Sequence, residues 1–524
     1  MTPLNKKPVF AHSAKNTHEN ADRDEHNKKT WQSLFLFLAA YFIIWSIAPA
    51  FLATSVPLDV SEGISWGSEW QWGYYKHPPL SSWVLYSFYE GFGHIGSYLL
   101  SQLCVLLTLI LVYKLGRQVW DTQTALLGSV LTLAVVYYSY PSLEFNHNVA
   151  QFPIWAGLYL AFYHAITRNQ LRAWLLVGVV GGIGMLTKYT VIFLLLPMAI
   201  YLLLPRQWPL LKTPKPWVAA AVMLAIFTPH LYWLITHEWL PLTYASGRAH
   251  DVEETANTVA RHFTWVGFII AQLIAHIPLI IILALNRKRL LGVRTYQQNL
   301  SAHHALLWYL WAAPIALLVV LSLVFGIGLR DMWGMPMWAL SGLLVASFIV
   351  PSLQAMAARK VKKAVMVWLV LATVLSMVYV GLGDKIRHKP SRMQWPEQAL
   401  AMQAHDTWRS LSTCPIDSVS GDRWLGALVA INNDHPSQMI SGPASHSPWM
   451  NIARLKAHGT LVLWQEEDPL MLPLLDELVQ TEQAHDSFAI HQGQWQLNWR
   501  DDNIEPLIVN WMAYVPKHCI PTSK

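Results

Sequence analysis

Charge is what this sequence has least of: only 13% of its 524 residues are Asp, Glu, Lys or Arg, against 54% hydrophobic, where a soluble domain carries about a quarter charged residues. That scarcity excludes an ordinary soluble fold and leaves a membrane protein. Cysteine is nearly missing as well, with three in the chain: Cys104 inside an apolar run, Cys414 and Cys519 in the polar C-terminal part. The last two either pair, if that part lies in an oxidising compartment, or stand as unrelated thiols, since spacing says nothing about geometry. No repeat, heptad array or low-complexity segment appears. Residues 1–30 are polar and lack the apolar core of a signal peptide, so they are expected to form a disordered cytoplasmic tail. The formal charge of +6 is carried by short basic clusters between apolar runs rather than by one face, which argues against a nucleic-acid partner.

What the chain does have is a succession of apolar runs. Crossing a bilayer takes about 20 residues, and candidates fall at about 31–53, 95–115, 124–138, 149–167, 173–186, 191–204, 217–235, 266–285, 306–325, 335–350 and 364–382. The expectation is therefore a polytopic α-helical membrane protein of about eleven spans. Lys and Arg set the orientation. With Lys28 and Lys29 inside, alternate loops carry Lys114 and Arg117, Arg168 and Arg172, Arg206 with Lys212 and Lys215, Arg287 to Arg289, and Arg359 to Lys363. The opposite loops hold only Lys76, Lys188, Arg248, Arg261 and Arg330. An odd number of spans with the N-terminus inside places residues 383–524 outside. There, a helix-like stretch at 396–411 precedes short apolar runs at 460–464, 488–491 and 507–511, the pattern of a small α/β domain. The organisation expected is a tail at 1–30, a transmembrane domain with external loops at 31–382, and an external α/β domain at 383–524.

Sorting polar residues by side gathers the unusual ones on the outer face. Residues 58–83 pack Asp59, Glu62, Glu69, Lys76 and His77 between two apolar runs, and charge at the mouth of a membrane domain is a site hypothesis by default. Pro78 and Pro79 fix the backbone just after the basic pair and so aim Lys76 and His77. Glu144, Asn146, His147 and Asn148 follow in a second loop, Lys188 with Tyr189 in a third, then Arg248 with Tyr244, His250 and Asp251, then Arg330 with Asp331. Acids beside fixed cations suit transfer from a phosphate-activated substrate: a carboxylate takes the acceptor's proton and cations stabilise the departing phosphate.

Each candidate has a plainer reading. Asp59 and Glu62, three apart, share a helix face, or form a capping box with Asp59 at the cap. Lys76 and His77 either serve the site or snorkel to the interface beside an aromatic belt of Trp70, Trp72, Tyr74 and Tyr75. His147 is more often a hydrogen-bonded histidine than a metal ligand. Lys188, with no acid nearby in sequence, calls for an anion, either a lipid phosphate or a distant carboxylate. Arg330 either pairs with Asp331 or meets phosphate. Gly181, Gly182 and Gly184 read as close helix packing, not as a phosphate loop.

The order of these features resembles the bacterial membrane glycosyltransferases of the dolichyl-phosphate-mannose protein mannosyltransferase-like superfamily, which includes the aminoarabinose transferase of lipid A. The resemblance covers about 31–382 and rests on DVSEGISWGSEWQWGYYKHPPLSSW, on GIGMLTKYT and, more weakly, on LRDMWGMPMW. It implies a C-type glycosyltransferase fold with a first-loop acid that acts on the acceptor or holds a divalent metal, and basic residues that grip the phosphate of a polyprenyl-linked sugar. Carried onto this chain, Asp59 and Glu62 are the catalytic candidates, and Lys76, His77, Glu144, Asn148, Lys188, Arg248 and Arg330 the substrate-binding ones. Relatives often have adjacent Asp and Glu where Asp59 and Glu62 stand apart, and an acid where Asn148 stands, which weakens a metal-dependent mechanism and leaves Glu144 as a substitute. The basic-Pro-Pro motif is His77-Pro78-Pro79, preceded by Lys76 where relatives often have an acid.

The function expected is transfer of a sugar from a polyprenyl phosphate to a lipid, glycan or protein on the periplasmic side of a bacterial inner membrane, with the lipid-linked donor, membrane lipids and the acceptor as partners. A transporter or flippase of a polyprenyl-linked glycan is the rival. It would show matched halves and charges within the spans, whereas here the charges gather in external loops. A structural subunit, the third class, would tolerate replacement of Asp59 and Glu62.

Overall fold

The computed structural model describes residues 32, 34–250, 262–290, 302–348, 354–465, 470–480 and 487–521. The expected tail at 1–30 lies outside them. Five described helices are long and apolar enough to cross a membrane: α1 (Leu34–Leu52), α4 (His94–Val119), and the helices Lys215–Thr236, Ala302–Phe325 and Lys360–Arg387. Three further pairs meet the same test only when joined across bends of 83°, 81° and 52°. The first is α5 (Thr122–Thr132) with the segment Val136–Leu143. The chain is therefore a multi-pass helical membrane protein, with between five and eight candidate spans counted this way. The apolar run at 335–350 is not one straight helix: it forms a 3₁₀ helix Asp331–Leu340 and then the short helix Ser341–Ser347. Composition alone cannot separate these, because apolar side chains suit any buried helix.

Between α1 and α4 lie two shorter helices. Here α2 (Leu58–Ser68) and α3 (Leu80–Phe92) pack against each other, joined by an irregular segment. Pro57 occupies the N-cap of α2 and no side chain caps it, so the capping box that is the alternative reading of Asp59 and Glu62 does not form. Both acids lie within the helix instead. Asp121 caps α5, and Asn146 caps α6 (His147–Arg168) by accepting from the Asn148 and Val149 amides. That cap fixes where His147 and Asn148 start. The run after α6 is α7 (Leu171–Thr187), which stops at Lys188 in extended backbone.

The C-terminal part holds a five-stranded sheet of order β2-β1-β3-β5-β4. Strands β1 (Ser418–Gly421), β2 (Ser437–Ile440) and β3 (Thr460–Trp464) are parallel; β4 (Phe488–Leu497) and β5 (Leu507–Pro516) are antiparallel. The helix Glu397–Leu411 and strand β3 fall where the periodicity puts them, and β4 and β5 run longer. Cys414 and Cys519 are disulfide-bonded, with Cα atoms 5.4 Å apart, and Cys104 is a buried free thiol. The sheet does not hang free of the bundle. Helix Arg423–Asn432 packs on α2, and the Glu397 carboxylate, fully buried, accepts from the Val56 amide at 2.8 Å and from Asn432 Nδ2 at 2.8 Å. Arg500 donates to both oxygens of Asp384 at the end of the last long helix.

Candidate active site

The segment between α2 and α3 is held as a closed turn, with the Tyr74 amide donating to the His77 carbonyl at 3.0 Å before Pro78 and Pro79. This points Lys76 inward. Its ammonium donates to Glu62 Oε1 at 2.6 Å, and both side chains are buried, so Lys76 does not snorkel to an interface. Burial pushes the Lys76 ammonium below its ordinary range, against the attraction of Glu62. Its Nζ also stands 5.5 Å from the Trp66 ring centroid and 5.0 Å from that of Tyr75. Tyr74 and Tyr75 are buried with it, stacked on Trp66 and His446 respectively, while Trp70 and Trp72 stay exposed. The aromatic belt thus divides: the tryptophans face outward and the tyrosines wall the site.

Asp59, one turn before Glu62 on α2, keeps an exposed face, and its carboxylate makes no hydrogen bond among the described residues. Protein crowded around that face, then the Glu62 charge, pushes its carboxyl above the ordinary range, while Lys76, Lys188 and Arg423 pull it back. Glu144 Oε1 accepts from the Asp59 backbone amide at 3.3 Å. Burial and the Asp59 charge push the Glu144 carboxyl up to about 7. Lys188, at the end of α7, is buried and donates to Asn148 Oδ1 at 2.5 Å, and burial pushes its ammonium down to about 8. Its partner is thus an amide oxygen, with Asp59 the carboxylate whose charge acts on it. The His77 and His147 rings meet at a tilt of 36° with centroids 3.8 Å apart, and burial holds both well below the usual histidine range, hence neutral near pH 7. His147 Nε2 is buried without a hydrogen-bond partner among the described residues.

Asp59, Glu62, Lys76, His77, Glu144, Asn148 and Lys188, spread over 130 residues of sequence, are thereby drawn into one cluster. Two candidates are not among these contacts. Arg330 is half-buried ahead of the 3₁₀ helix Asp331–Leu340 and is not among the charges that weigh most on Asp59; the Asp331 carboxylate accepts from the Met332 amide at 2.8 Å. Arg248 falls in the helix Leu240–His250, with its side chain outside the described residues, as Asp251 is altogether. The sequence reading missed Arg423, whose Nε lies 3.7 Å from Glu62 Oε1. It opens a helix of the C-terminal domain, and an arginine there looks like any solvated one until the domain docks. Beside it a cavity of about 360 Å³, within the range of small-ligand pockets, is bordered by Tyr75, Lys76, Tyr244, Arg423, His446 and Trp464.

A divalent metal does not fit these residues. One oxygen of Glu62 is paired with Lys76, the Asn148 oxygen with Lys188 and one oxygen of Glu144 with an amide, the charges of Lys76, Lys188 and Arg423 act on Asp59, and among the described residues these acids and histidines form no group of three ligands within reach of one ion. Among the described residues, Cys414, His518 and Cys519 come within ligating range of one another, but the two cysteines are bonded to each other.

Fold and site define a multi-pass helical membrane protein with a charged cleft in the segment between α1 and α4, packed against a small α/β domain. Residues 76–233 match the family model described as dolichyl-phosphate-mannose-protein mannosyltransferase, which bears out the resemblance read from the sequence. The lipopolysaccharide core galacturonosyltransferase RgtB of Rhizobium johnstonii is 27% identical over 328 residues, 60% of this chain and 64% of that protein. An undecaprenyl phosphate-alpha-4-amino-4-deoxy-L-arabinose arabinosyl transferase of Pseudomonas savastanoi is 29% identical over 121 residues, 22% of this chain and 23% of that one. The chain thus spans less than two thirds of these curated relatives. In fold, the crystal structure of ArnT from Cupriavidus metallidurans bound to undecaprenyl phosphate superimposes with a TM-score of 0.59 at 15% identity, covering 94% of this chain and 99% of that one.

Proposed function

We propose that the chain is a glycosyltransferase that moves a sugar from a polyprenyl phosphate to a hydroxyl of a lipid, glycan or protein acceptor. The observation that carries this reading is the Asp59 carboxylate, unbonded and open to solvent, set among Lys76, Lys188 and Arg423. In one displacement the acceptor oxygen attacks the anomeric carbon while its proton passes to Asp59. The bond from that carbon to the phosphate oxygen breaks, and the electron pair leaves on the polyprenyl phosphate. The sugar's configuration inverts. Lys76, His77 and Lys188 meet the charge that grows on the phosphate, and His147 offers its unpartnered Nε2 beside them. Glu62 and Asn148 hold the two lysines in place, and Glu144 holds the start of α2. In this reading Arg248 and Arg330 meet the donor further out. No step runs through a metal.

The relatives' names support the reaction class and differ in the sugar, galacturonosyl in one group and 4-amino-4-deoxy-L-arabinosyl in the other. The loop bias in Lys and Arg supports a site and a C-terminal domain on the periplasmic face of a bacterial inner membrane, with a cytoplasmic N-terminus. The test is reconstitution of the purified chain in liposomes with a labelled polyprenyl-phosphate sugar and lipid A. The reading expects label on the acceptor with inverted anomeric configuration. Passage of the intact lipid-linked sugar across the bilayer, without transfer, would instead make the protein a transporter.

A further inference from the structure

His230 lies in the apolar helix Lys215–Thr236 and is fully buried. An ionisable side chain in such a helix is costly unless both its nitrogens are satisfied. Its Nδ1 is 2.5 Å from the Trp72 backbone carbonyl oxygen and its Nε2 is 2.6 Å from the Tyr189 hydroxyl. A carbonyl only accepts, so Nδ1 carries the proton; in the neutral ring Nε2 is then the acceptor and Tyr189 donates to it. The tautomer is fixed by its partners, and one ring joins two loops far apart in sequence. Trp233, one turn further on the same face, seals the first of these contacts: a β-carbon at Gly73 would overlap its ring, so only glycine lets the backbone beside Trp72 lie against this helix.

The two tethered loops are those that carry the buried lysines. Trp72 is in the turn that delivers Lys76, and Tyr189 follows Lys188 directly. Gln151 Nε2 holds the Lys188 carbonyl at 3.2 Å and Asn148 holds its ammonium, but among the described residues neither side chain hydrogen-bonds to the first loop. We propose that His230 is a positioning residue, which sets the spacing between Lys76 and Lys188 and thereby shapes the pocket for a polyprenyl-linked phosphate. This rests on the glycosyltransferase reading above, and it predicts that the Tyr189–His230 bond acts on phosphate binding only through Lys188.

The full chain in detergent, with a long-chain polyprenyl monophosphate as probe, tests it. Tyr189→Phe removes one arm of the clamp and keeps both rings. It is expected to weaken probe binding about fivefold to tenfold, what a hydrogen bond is worth, and to weaken it no further in a Lys188→Ala background. Equal weakening in both backgrounds, or none in either, overturns the positioning role and leaves a purely structural contact. Hydrogen exchange without the probe reads the clamp by itself. His230→Asn puts an amide nitrogen near the place of Nδ1, so peptides over 70–77 should stay protected while those over 186–191 exchange faster; His230→Phe should loosen both. Unchanged exchange in both variants overturns the clamp. A wild-type chain that fails to bind the probe, while exchange responds as expected, sinks the phosphate reading and the positioning role with it but leaves the clamp standing.

Discussion

Glu62 and Lys76 form a buried ion pair 2.6 Å long in the segment between α1 and α4, with the Arg423 guanidinium of the C-terminal domain 3.7 Å from the same carboxylate oxygen. One acid thus ties the loop that precedes α3 to the domain that covers it. Removing one partner of a buried pair leaves an uncompensated charge, which costs far more than removing both. Glu62→Gln is expected to destabilise the chain by about 3 kcal/mol, and the double variant Glu62→Gln/Lys76→Gln by less than the single one. Thermal unfolding in detergent measures this, and a double variant less stable than Glu62→Gln would speak against the pairing.

Lys188 gives a pH dependence of opposite sign for binding and for stability. Its ammonium titrates near 8 when folded, against 10.5 ordinarily, so between those values the unfolded chain holds more protons. Stability should therefore rise with pH through that window, as the cost of burying a charged lysine disappears. Affinity for a polyprenyl monophosphate should fall over the same window, since the neutral amine no longer meets the anion. Lys188→Ala should remove both trends. Isothermal titration and melting curves over that pH range check them together.

Glu397 anchors the C-terminal domain to the backbone after α1. Although burial alone would raise its carboxyl, the His94 and Asn432 hydrogen bonds hold it below the ordinary carboxylate range. Such a group contributes stability above its unfolded pKa, and that contribution is lost as pH falls through the lower folded value. Glu397→Ala should cost about 2 kcal/mol or more, as loss of buried charged hydrogen bonds does. Limited proteolysis should then cut first between the membrane helices and the sheet. A variant with unaltered cleavage would show that the domain is held elsewhere.

The Cys414–Cys519 bond closes a separation of 105 residues. Denatured, unreduced protein should take up a thiol-alkylating tag at Cys104 alone. Cys414→Ser/Cys519→Ser should lower the stability of the C-terminal domain by about 3–5 kcal/mol, the scale for a loop of that length, and tagging at all three cysteines of the wild-type chain would contradict the pairing.

The segment between α1 and α4 was legible in the sequence because charge is scarce in this chain, so Asp59, Glu62, Lys76 and His77 stand out against apolar flanks. The same contrast exposed Lys188. Arg423 and Glu397 gave no such signal, because charge is ordinary in the C-terminal domain and their roles arise only when that domain docks on α2 and the Val56 backbone. His230 carried a signal that was available, an ionisable residue inside an apolar run, but its two partners sit 158 and 41 residues away. Strands β1 and β2, four residues each, are too short to show an alternation. At 335–350 the apolar run hid a change from 3₁₀ to α-helix, which side-chain hydropathy does not encode.

Asp59 is proposed as the base of a sugar transfer. Single-turnover transfer from a purified polyprenyl-phosphate sugar, with wild type, Asp59→Asn and Glu62→Gln compared at saturating donor, reads it most directly. Asp59→Asn keeps the shape of the side chain and loses the base, so the rate should fall about a hundredfold or more while polyprenyl phosphate binding and the melting temperature hold near wild type. Full transfer by Asp59→Asn, with Glu62→Gln folded and inactive, would contradict the assignment and move the base to Glu62.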